Sequence, residues 1–336
     1  MRQVAEAAGV SVATVGNVLN APGVVAPETR RRVEEAMTQV GFVRNLAARQ
    51  LRGVPSSVVG VVILDLANPF YGEIGRGIED RLAEAGCLVM LCSTDADVGK
   101  EASHLRMLEE HGVRGVLVTP AETHIEMLTR TLRRGTPMVL LDHPRDGADM
   151  CAVTVDNVLG GRLAAGHVLS LGHRRLAFLQ SSIGARQSTQ RRDGILRELS
   201  AAGLDAAESL VDVDLPPPDV AAAADAALDE LLSGPRAPTA ILCFNDVAAL
   251  GVLTGLRRMG VHVPGDVCVV GYDDIQFAAG LSPALTTVRQ PKYQLGQAAA
   301  DLLLDESRPG HQHREIMLQP TLVVRGSTGP IAEPGA

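Results

Sequence analysis

Val4-Ala5-Glu6-Ala7-Ala8-Gly9-Val10-Ser11-Val12-Ala13-Thr14-Val15-Gly16-Asn17-Val18-Leu19-Asn20 holds two apolar stripes at helical spacing, separated at a glycine. Val4, Ala7 and Ala8 make the first stripe, Val12, Val15, Val18 and Leu19 the second, and Val33, Met37 and Val40 add a third further along. Three short helices are therefore expected. Gly9 ends the first, Ser11 is a natural N-cap for the second, and Pro27 opens the third, which stops at Gly41. Only Gly9, Val10 and Ser11 part the first two helices. Such a tight corner has a small residue where the helices cross, a glycine in the turn and an apolar anchor, the requirements of a helix-turn-helix.

Beyond this unit the pattern changes. Asn45 to Gly53 is helical in propensity but has too little apolar face to stand alone, and Pro55-Ser56-Ser57 breaks it. From Val58 onward, short β-rich apolar runs alternate with helical stretches. The runs are Val58–Leu64, Leu88–Leu91, Gly115–Val118, Met138–Leu141, Val153–Val155, Leu176–Leu179, Ile241–Phe244 and Val267–Val270. Alternation of this kind builds parallel sheets with helices on both faces. Eight strands over this length suit two doubly wound lobes. A barrel of eight repeats is the competing architecture, and the irregular stretches Pro144–Met150 and Leu215–Asp219 count against it. Polar residues follow the strands: Asp65 with Asn68, Phe70 and Tyr71; Thr119; Asp142 and His143; Asn245 and Asp246; Asp273 and Asp274. In open parallel sheets ligands bind beyond the carboxyl ends of strands, so a pocket between two lobes would gather these residues. Of eight aromatic side chains, Phe70, Tyr71, Phe244, Tyr272 and Phe277 fall at or just past strand ends.

The chain has 336 residues, 46% hydrophobic and 21% charged, ordinary globular usage that excludes global disorder and fibrous repeats. Its longest apolar runs are far too short for a membrane helix, and the N-terminus has no apolar signal core, so a cytoplasmic protein is expected. Cys87, Cys92, Cys151, Cys243 and Cys268 form no C-x-x-C pair and read as buried free thiols, with no metal or cofactor expected. His311-x-His313 is a weak metal hint that reads better as a polar loop. No G-x-G-x-x-G, P-loop, G-x-S-x-G or HExxH pattern supports an enzyme. The net charge of −8 is unevenly spread. Residues 1–54 hold seven Arg and four Glu, net +3, and the rest carries net −11. A small basic module on an acidic body is expected to bring only the module to phosphate.

The head, Val4-Ala5-x-x-Ala8-Gly9-Val10-Ser11-x-Ala13-Thr14-Val15, resembles that of LacI/GalR-family transcriptional regulators. The resemblance runs almost end to end. Further blocks are Val18-Leu19-Asn20, Pro27-Glu28-Thr29-Arg30, Asp65-Leu66-x-Asn68-Pro69-Phe70, Gly172-His173-Arg174-Arg175, Phe244-Asn245-Asp246, Gly271-Tyr272-Asp273-Asp274 and Leu285-Thr286-Thr287-Val288. The resemblance implies an all-α helix-turn-helix headpiece over 1–44 and a hinge helix with linker over 45–57. It also implies an α/β core over 58–336 of two doubly wound parallel-sheet lobes, like periplasmic binding proteins. One lobe would take about 58–156 and 289–316, the other about 157–288 and 317–327, with crossings near Asp156, Val288 and Met317. It implies DNA contacts at Ser11, Val12, Ala13, Thr14, Asn17, Asn20 and Arg49, with Leu51 wedged into the minor groove from a hinge that orders only when two copies pair on an operator. Val12 and Ala13 offer apolar contacts such as a thymine methyl. Where the family often carries Ser-Arg this chain has Gly16-Asn17, and Asn pairs with adenine rather than guanine, so an altered operator centre is expected. Family members also carry residues before the position of Arg2 and a Ser or Thr at that of Ala26, so a start upstream of Met1 is expected.

For the effector the resemblance points to Asp65, Phe70, Tyr71, Arg162, Arg191, Asn245, Asp273 and Gln290, with His143 standing where an Arg is common. Carboxylate, amide and guanidinium groups around aromatic faces suit the hydroxyls and C–H face of a sugar. A carbohydrate is the leading expectation, with a purine or other metabolite as the alternative. The tail after Val324 has no leucine heptads, so a homodimer is expected rather than a coiled-coil tetramer. The overall expectation is a DNA-binding repressor controlled by a sugar. A sugar-binding protein without DNA function is the rival, opposed by the headpiece and, for an exported one, by the missing signal segment.

Overall fold

A computed structural model describes residues 1–42, 56–121, 128, 135–181, 185–306, 308 and 310–331. The chain divides into two units, Met1–Ser56 and Ser57–Ala336. The expected hinge helix, with Arg49 and Leu51, lies outside the described residues.

In the first unit, α1 (Arg2–Ala8) is followed by α2 (Val12–Asn20), a 3-10 turn at Pro22–Val24 and α3 (Pro27–Gln39). Gly9 takes the left-handed conformation at φ 61°, which turns the chain sharply enough for α2 to begin after a three-residue corner. The core consists of Val4, Ala5, Ala8, Val15, Val18, Val33 and Ala36, ringed by Val10, Leu19, Val25, Met37 and Phe42. Ala5 is buried and Ala7 exposed, a rotation of α1 from the expected stripe that the two alanines' identical chemistry could not reveal. Neither α1 nor α3 has a side-chain N-cap, whereas Ser11 accepts from the Thr14 amide at the start of α2. Arg32 donates to the Ala8 carbonyl, tying α3 to the end of α1.

The basic excess does not belong to the helix-turn-helix. Residues 1–42 carry four Arg and four Glu, so the whole surplus of +3 comes from Arg44, Arg49 and Arg52. On α3, Arg30 pairs with Glu34 at 2.8 Å, and Arg31 with Glu28 and Glu35 at 2.6 and 2.7 Å. These exposed pairs add little stability but cancel charge locally.

The second unit contains two sheets. The first has the order β11-β5-β4-β3-β1-β2, the second β12-β10-β9-β8-β6-β7. The strands of the first are β1 (Val58–Ile63), β2 (Leu88–Ser93), β3 (Gly115–Val118), β4 (Met138–Leu141), β5 (Cys151–Val155) and β11 (Glu315–Leu318). Those of the second are β6 (Leu176–Ser181), β7 (Leu210–Leu215), β8 (Ala240–Cys243), β9 (Cys268–Asp273), β10 (Thr286–Arg289) and β12 (Thr321–Val323). All pairings are parallel except that of β10 with β12. Each sheet thus repeats one doubly wound order, and the barrel alternative falls away. Helices α4 (Pro69–Glu84), α5 (Val98–Glu110), α6 (Asn157–Ser170), α7 (Ala185–Ala201), α8 (Val220–Ser233), α9 (Asp246–Arg258) and α10 (Lys292–Glu306) cover them.

Alternate residues of one strand feed opposite cores. Val59, Val61 and Ile63 pack with Ile74, Ile78 and Leu82 of α4 and with Leu295 and Leu303 of α10, while Val62 packs with Leu105 and Leu108 of α5. Burial on both faces is why these strands read as continuous apolar runs. Among the described residues, no helix is long and apolar enough to cross a membrane.

Four strands escape the apolar-run criterion. In β7, an edge strand, Asp212 and Asp214 point outward and meet Arg192 and Gln180. In β10 the buried threonines hide as polar residues, Thr287 donating to Asp246 at 2.6 Å. Edge strands β11 and β12 are short and half-exposed. In the second sheet β10 runs to Arg289, and in the first β11 runs to Leu318, so the chain leaves each sheet one residue past the positions near which the second and third crossings were expected, Val288 and Met317. The first crossing passes Asp156, whose side chain accepts from the Leu159 amide and caps α6.

Candidate functional site

The carboxyl ends of β1, β4, β6, β8, β9 and β10 converge on a cavity of about 690 Å³, its mouth included. Leu64, Asp65, Asn68, Phe70, Tyr71, Asp142 and Gln290 line one side, and Ser181, Gln187, Ser188, Arg191, Pro218, Val220, Phe244, Asn245 and Asp273 the other. The two sides belong largely to the two sheets, so a ligand here would touch both lobes.

Arg191 is the central cation. It sits on α7, held close to α6 by a glycine contact: a Cβ on Gly161 would stand 1.9 Å from the Arg191 carbonyl oxygen. Its Nε donates to Asn157 Oδ1 at 3.0 Å, its Nη1 donates to the Phe244 carbonyl, and its guanidinium carbon lies 3.6 Å from the centre of the Tyr272 ring. Tyr272 reaches that position because α6 has Gly160 there, where a Cβ would stand 2.0 Å from the tyrosine oxygen. A buried guanidinium packed on an aromatic face and fixed by two oxygens is oriented before any ligand arrives.

Around it stand carboxyl groups. Asp142, in a left-handed conformation at φ 53°, accepts weakly from Gln187 Nε2, and burial raises its pKa to about 6 against the opposing pull of Arg191. Burial also holds Asp273 well above the ordinary carboxylate range, opposed by Arg191 and by Gln290, whose Nε2 donates to Oδ1 at 2.7 Å. Burial pushes the Tyr71 hydroxyl upward, and Asp142, Asp273 and Asp65 add to the push. Asn245 caps α9 by accepting from the Ala248 amide at 2.8 Å, which leaves its amide nitrogen as the group offered to the cavity. Three buried atoms of this lining have no hydrogen-bond partner among the described residues: Asp142 Oδ1, Ser188 Oγ and Gln290 Oε1. A buried polar atom without a partner costs about 1–3 kcal/mol, so their gathering in one cavity marks a place for a polar guest.

Of the expected effector residues, Asp65, Phe70, Tyr71, Arg191, Asn245, Asp273 and Gln290 line the cavity. His143 and Arg162 do not. His143 is buried beside it with Nδ1 2.7 Å from the Pro144 carbonyl, and burial depresses its pKa. Arg162 is half-exposed on α6 and pairs with Glu198 of α7 at 2.7 Å. The helical face that Arg162 occupies is set by how α6 meets α7, which sequence spacing alone does not determine. Thr119, Tyr272 and Phe277 are likewise absent from the lining, and Asp246 and Asp274 serve other networks: Asp246 accepts from Thr287 and from the Ile275 amide, and Asp274 pairs with Arg289 and Arg325. Asp142, expected past a strand end but not among the effector residues, lines the cavity, and so do Gln187 and Ser188, which the sequence reading did not single out. Gln187 and Ser188 lie four and three residues before Arg191, on its helical face, and this periodicity could have identified them.

In the first unit, Ala13, Asn17 and Asn20 fall one helical turn apart on the exposed face of α2, with Val12 exposed beside them. Asn20 is partly engaged, its Nδ2 donating to the Gly16 carbonyl at 2.9 Å, and the Thr14 hydroxyl lies 2.9 Å from that of Ser11. A Cβ on Gly16 would meet only the Met1 side chain, at an ordinary 3.7 Å, so packing does not demand glycine there.

The pattern described as "Bacterial regulatory proteins, lacI family" matches residues 1–45, and that of a periplasmic binding protein-like domain matches residues 165–328. The chain is 31% identical over 331 residues to the HTH-type transcriptional repressor PurR of Aliivibrio salmonicida, covering 97% of this chain and 98% of that one. Among solved structures, it is similar to the lac repressor dimer bound to operator and the anti-inducer ONPF, with TM-score 0.84, 27% identity, and 97% and 98% of the two chains covered. It is also similar to a LacI family transcriptional regulator from Enterococcus faecium with bound ribose, with TM-score 0.73, 30% identity, and 82% and 100% covered.

Proposed function

The chain belongs to the lacI family of bacterial regulatory proteins, and from that premise we propose that a neutral sugar bound between its lobes controls its grip on an operator. It is a DNA-binding transcriptional repressor, not an enzyme. The observation that carries the sugar reading is the make-up of the cavity. Asp65, Asp142 and Asp273 surround the Arg191 guanidinium, so acids outnumber cations for a phosphorylated or carboxylated ligand, while the hydroxyl groups of a sugar can hydrogen-bond to each carboxyl group in either protonation state. Phe70 and Phe244 supply the apolar surface that sugar C–H groups cover. The solved relative with bound ribose accords with this choice.

The test is a thermal-shift screen of the full chain against pentoses, hexoses, disaccharides and nucleobases. A sugar at 100 times its dissociation constant should add about 2.7 kcal/mol of stability. A response to a nucleobase and to no sugar overturns the carbohydrate reading. Affinity should also depend on pH. Asp142 titrates at about 6 in the free cavity, and a hydroxyl donating to it requires the carboxylate, so binding below that pH must first expel a proton. The contribution of Asp142 therefore rises between pH 5 and 7; one unit below about 6 the loss is about tenfold. Titration calorimetry in two buffers of different ionisation enthalpy reads both the affinity and the released proton. Equal affinity at pH 5 and 7.5 removes Asp142 from the contact set.

On the DNA side, α2 lies in the major groove of a half-site, Ser11, Val12, Ala13, Thr14, Asn17 and Asn20 facing it, and two chains bind the operator as a homodimer, with further contacts from Arg49 and Leu51. Its place of action is the cytoplasm. Asn17 reads adenine. Asn17→Arg is expected to shift the preferred base at that position to guanine, with about 1–3 kcal/mol of changed discrimination. Selection from random duplexes measures this, and an unchanged base preference would place Asn17 outside base readout.

A further inference from the structure

At the amino-terminal ends of the first sheet, opposite the effector cavity, four side chains from three segments converge. Cys151 begins β5, Glu306 ends α10, and His311 and His313 lie on the return to β11. One ligand atom from each falls within 4.8 Å of all the others. Cys151 is fully buried, and the side chains of Glu306 and His311 are 9% and 7% exposed. We propose that Cys151, Glu306, His311 and His313 form a tetrahedral zinc site that clasps the first lobe.

The separations support this. Cys151 Sγ lies 3.2 Å from His311 Nε2 and 4.0 Å from His313 Nδ1. Glu306 Oε1 lies 3.3 Å from His311 Nε2 and 3.2 Å from His313 Nδ1. Zinc bonds of about 2.0–2.1 Å to nitrogen and oxygen and about 2.3 Å to sulfur give tetrahedron edges of about 3.3 Å for N–O pairs and about 3.6 Å for S–N pairs. The four measured edges scatter around those values. Thiolate, imidazole and carboxylate donors together suit zinc rather than the harder magnesium or calcium.

Surrounding groups are placed as zinc ligands need them. Asp305 Oδ2 is 3.2 Å from His311 Nδ1, so the ring donates there and turns the lone pair of Nε2 toward the cluster. On the far side of His313, Nε2 lies 3.6 Å from Asp149. The Arg314 amide donates to Cys151 Sγ at 3.4 Å, a backbone contact that fixes the position of the sulfur. The chain brings the set together through strand pairing: Glu315 pairs with Ala152, which puts the residues just before β11 beside Cys151. A plain hydrogen-bonded cluster of imidazolium and carboxylate is the competing account, and it does not require sulfur and two nitrogens to share one centre. Sited at the other end of the strands, the clasp stands or falls independently of the sugar reading.

The full chain, stripped with chelator and dialysed against zinc alone, is expected to bind one zinc per chain by elemental analysis and to gain about 5 °C in thermal midpoint. Cobalt in its place should give the intense visible bands of tetrahedral coordination with a thiolate charge-transfer band. Cys151→Ser should lose that band, Cys92→Ser should keep it, and His313→Gln should bind zinc at least tenfold more weakly. A folded chain that takes up no stoichiometric zinc, or a cobalt spectrum without thiolate character, overturns the proposal. If Cys151→Ser does not fold, the cobalt spectrum of the unaltered chain still decides the matter.

Discussion

Val15→Asp is expected to abolish specific operator binding while leaving effector binding unchanged. Val15 is fully buried, and the core it belongs to is made of valines and alanines alone at its fully buried positions. A domain of this size has only a few kcal/mol of stability, and placing a carboxyl among those side chains costs several kcal/mol however the group titrates. The helix pair then loses the geometry that presents Ala13, Asn17 and Asn20 together. Specific affinity should fall by about a thousandfold or more, to the level of random duplex. The second unit is held together by its own core clusters, so its cavity should keep its affinity. Fluorescence anisotropy on operator at physiological salt, beside calorimetry with the effector, separates the two functions. Operator affinity retained within tenfold would mean that α2 is not the reading element.

Arg191→Met should leave a chain that still holds its operator but no longer answers its effector. The guanidinium is the counter-charge for Asp142 and Asp273, opposing the upward push of burial on both carboxyl groups. Removing one member of a buried charge cluster costs about 3–5 kcal/mol, since the remaining charges lose their partner. Effector affinity should drop several hundredfold, and Asp142 should titrate higher than about 6, so the pH at which affinity is half-lost moves upward. Arg191→Lys keeps the charge, but an ammonium cannot span Asn157 and the Phe244 carbonyl as the planar fork does, so an intermediate loss is expected. Met is long enough to keep covering Tyr272, which limits the structural cost. Effector affinity within fivefold of the unaltered chain would remove Arg191 from the binding set.

The response to effector follows from where the cavity lies. A ligand that touches Asp65 and Asp142 of one lobe and Asn245 and Asp273 of the other favours whichever arrangement of lobes lets it touch both. By linkage, operator binding shifts effector affinity by the same factor. Measuring effector affinity with and without operator therefore quantifies the switch from either end.

Much of this molecule is written in short-range pattern. The corner at Gly9, the cap at Ser11 and the doubly buried runs such as Val58–Ile63 depend on residues a few positions apart, where helix and strand periods act directly. Acids and amides just past strand ends were legible for the same reason, because the carboxyl end of a parallel strand is a place defined along the chain. What lay beyond reach concerned meetings between distant segments. Arg162 and Arg191 look alike as helical arginines, yet the contact of α6 with α7 turns one toward Glu198 and the other onto Tyr272. Edge strand β7 hid behind its aspartates, since an edge buries too little surface to enforce an apolar run. His311 and His313 became a cluster only when β11 paired with β5 and brought Cys151 beside them from 160 residues away. Local periodicity is a property of neighbours in sequence and survives in any reading of it; which side chains share a space depends on sheet order and helix rotation, and those are settled only when the whole chain packs.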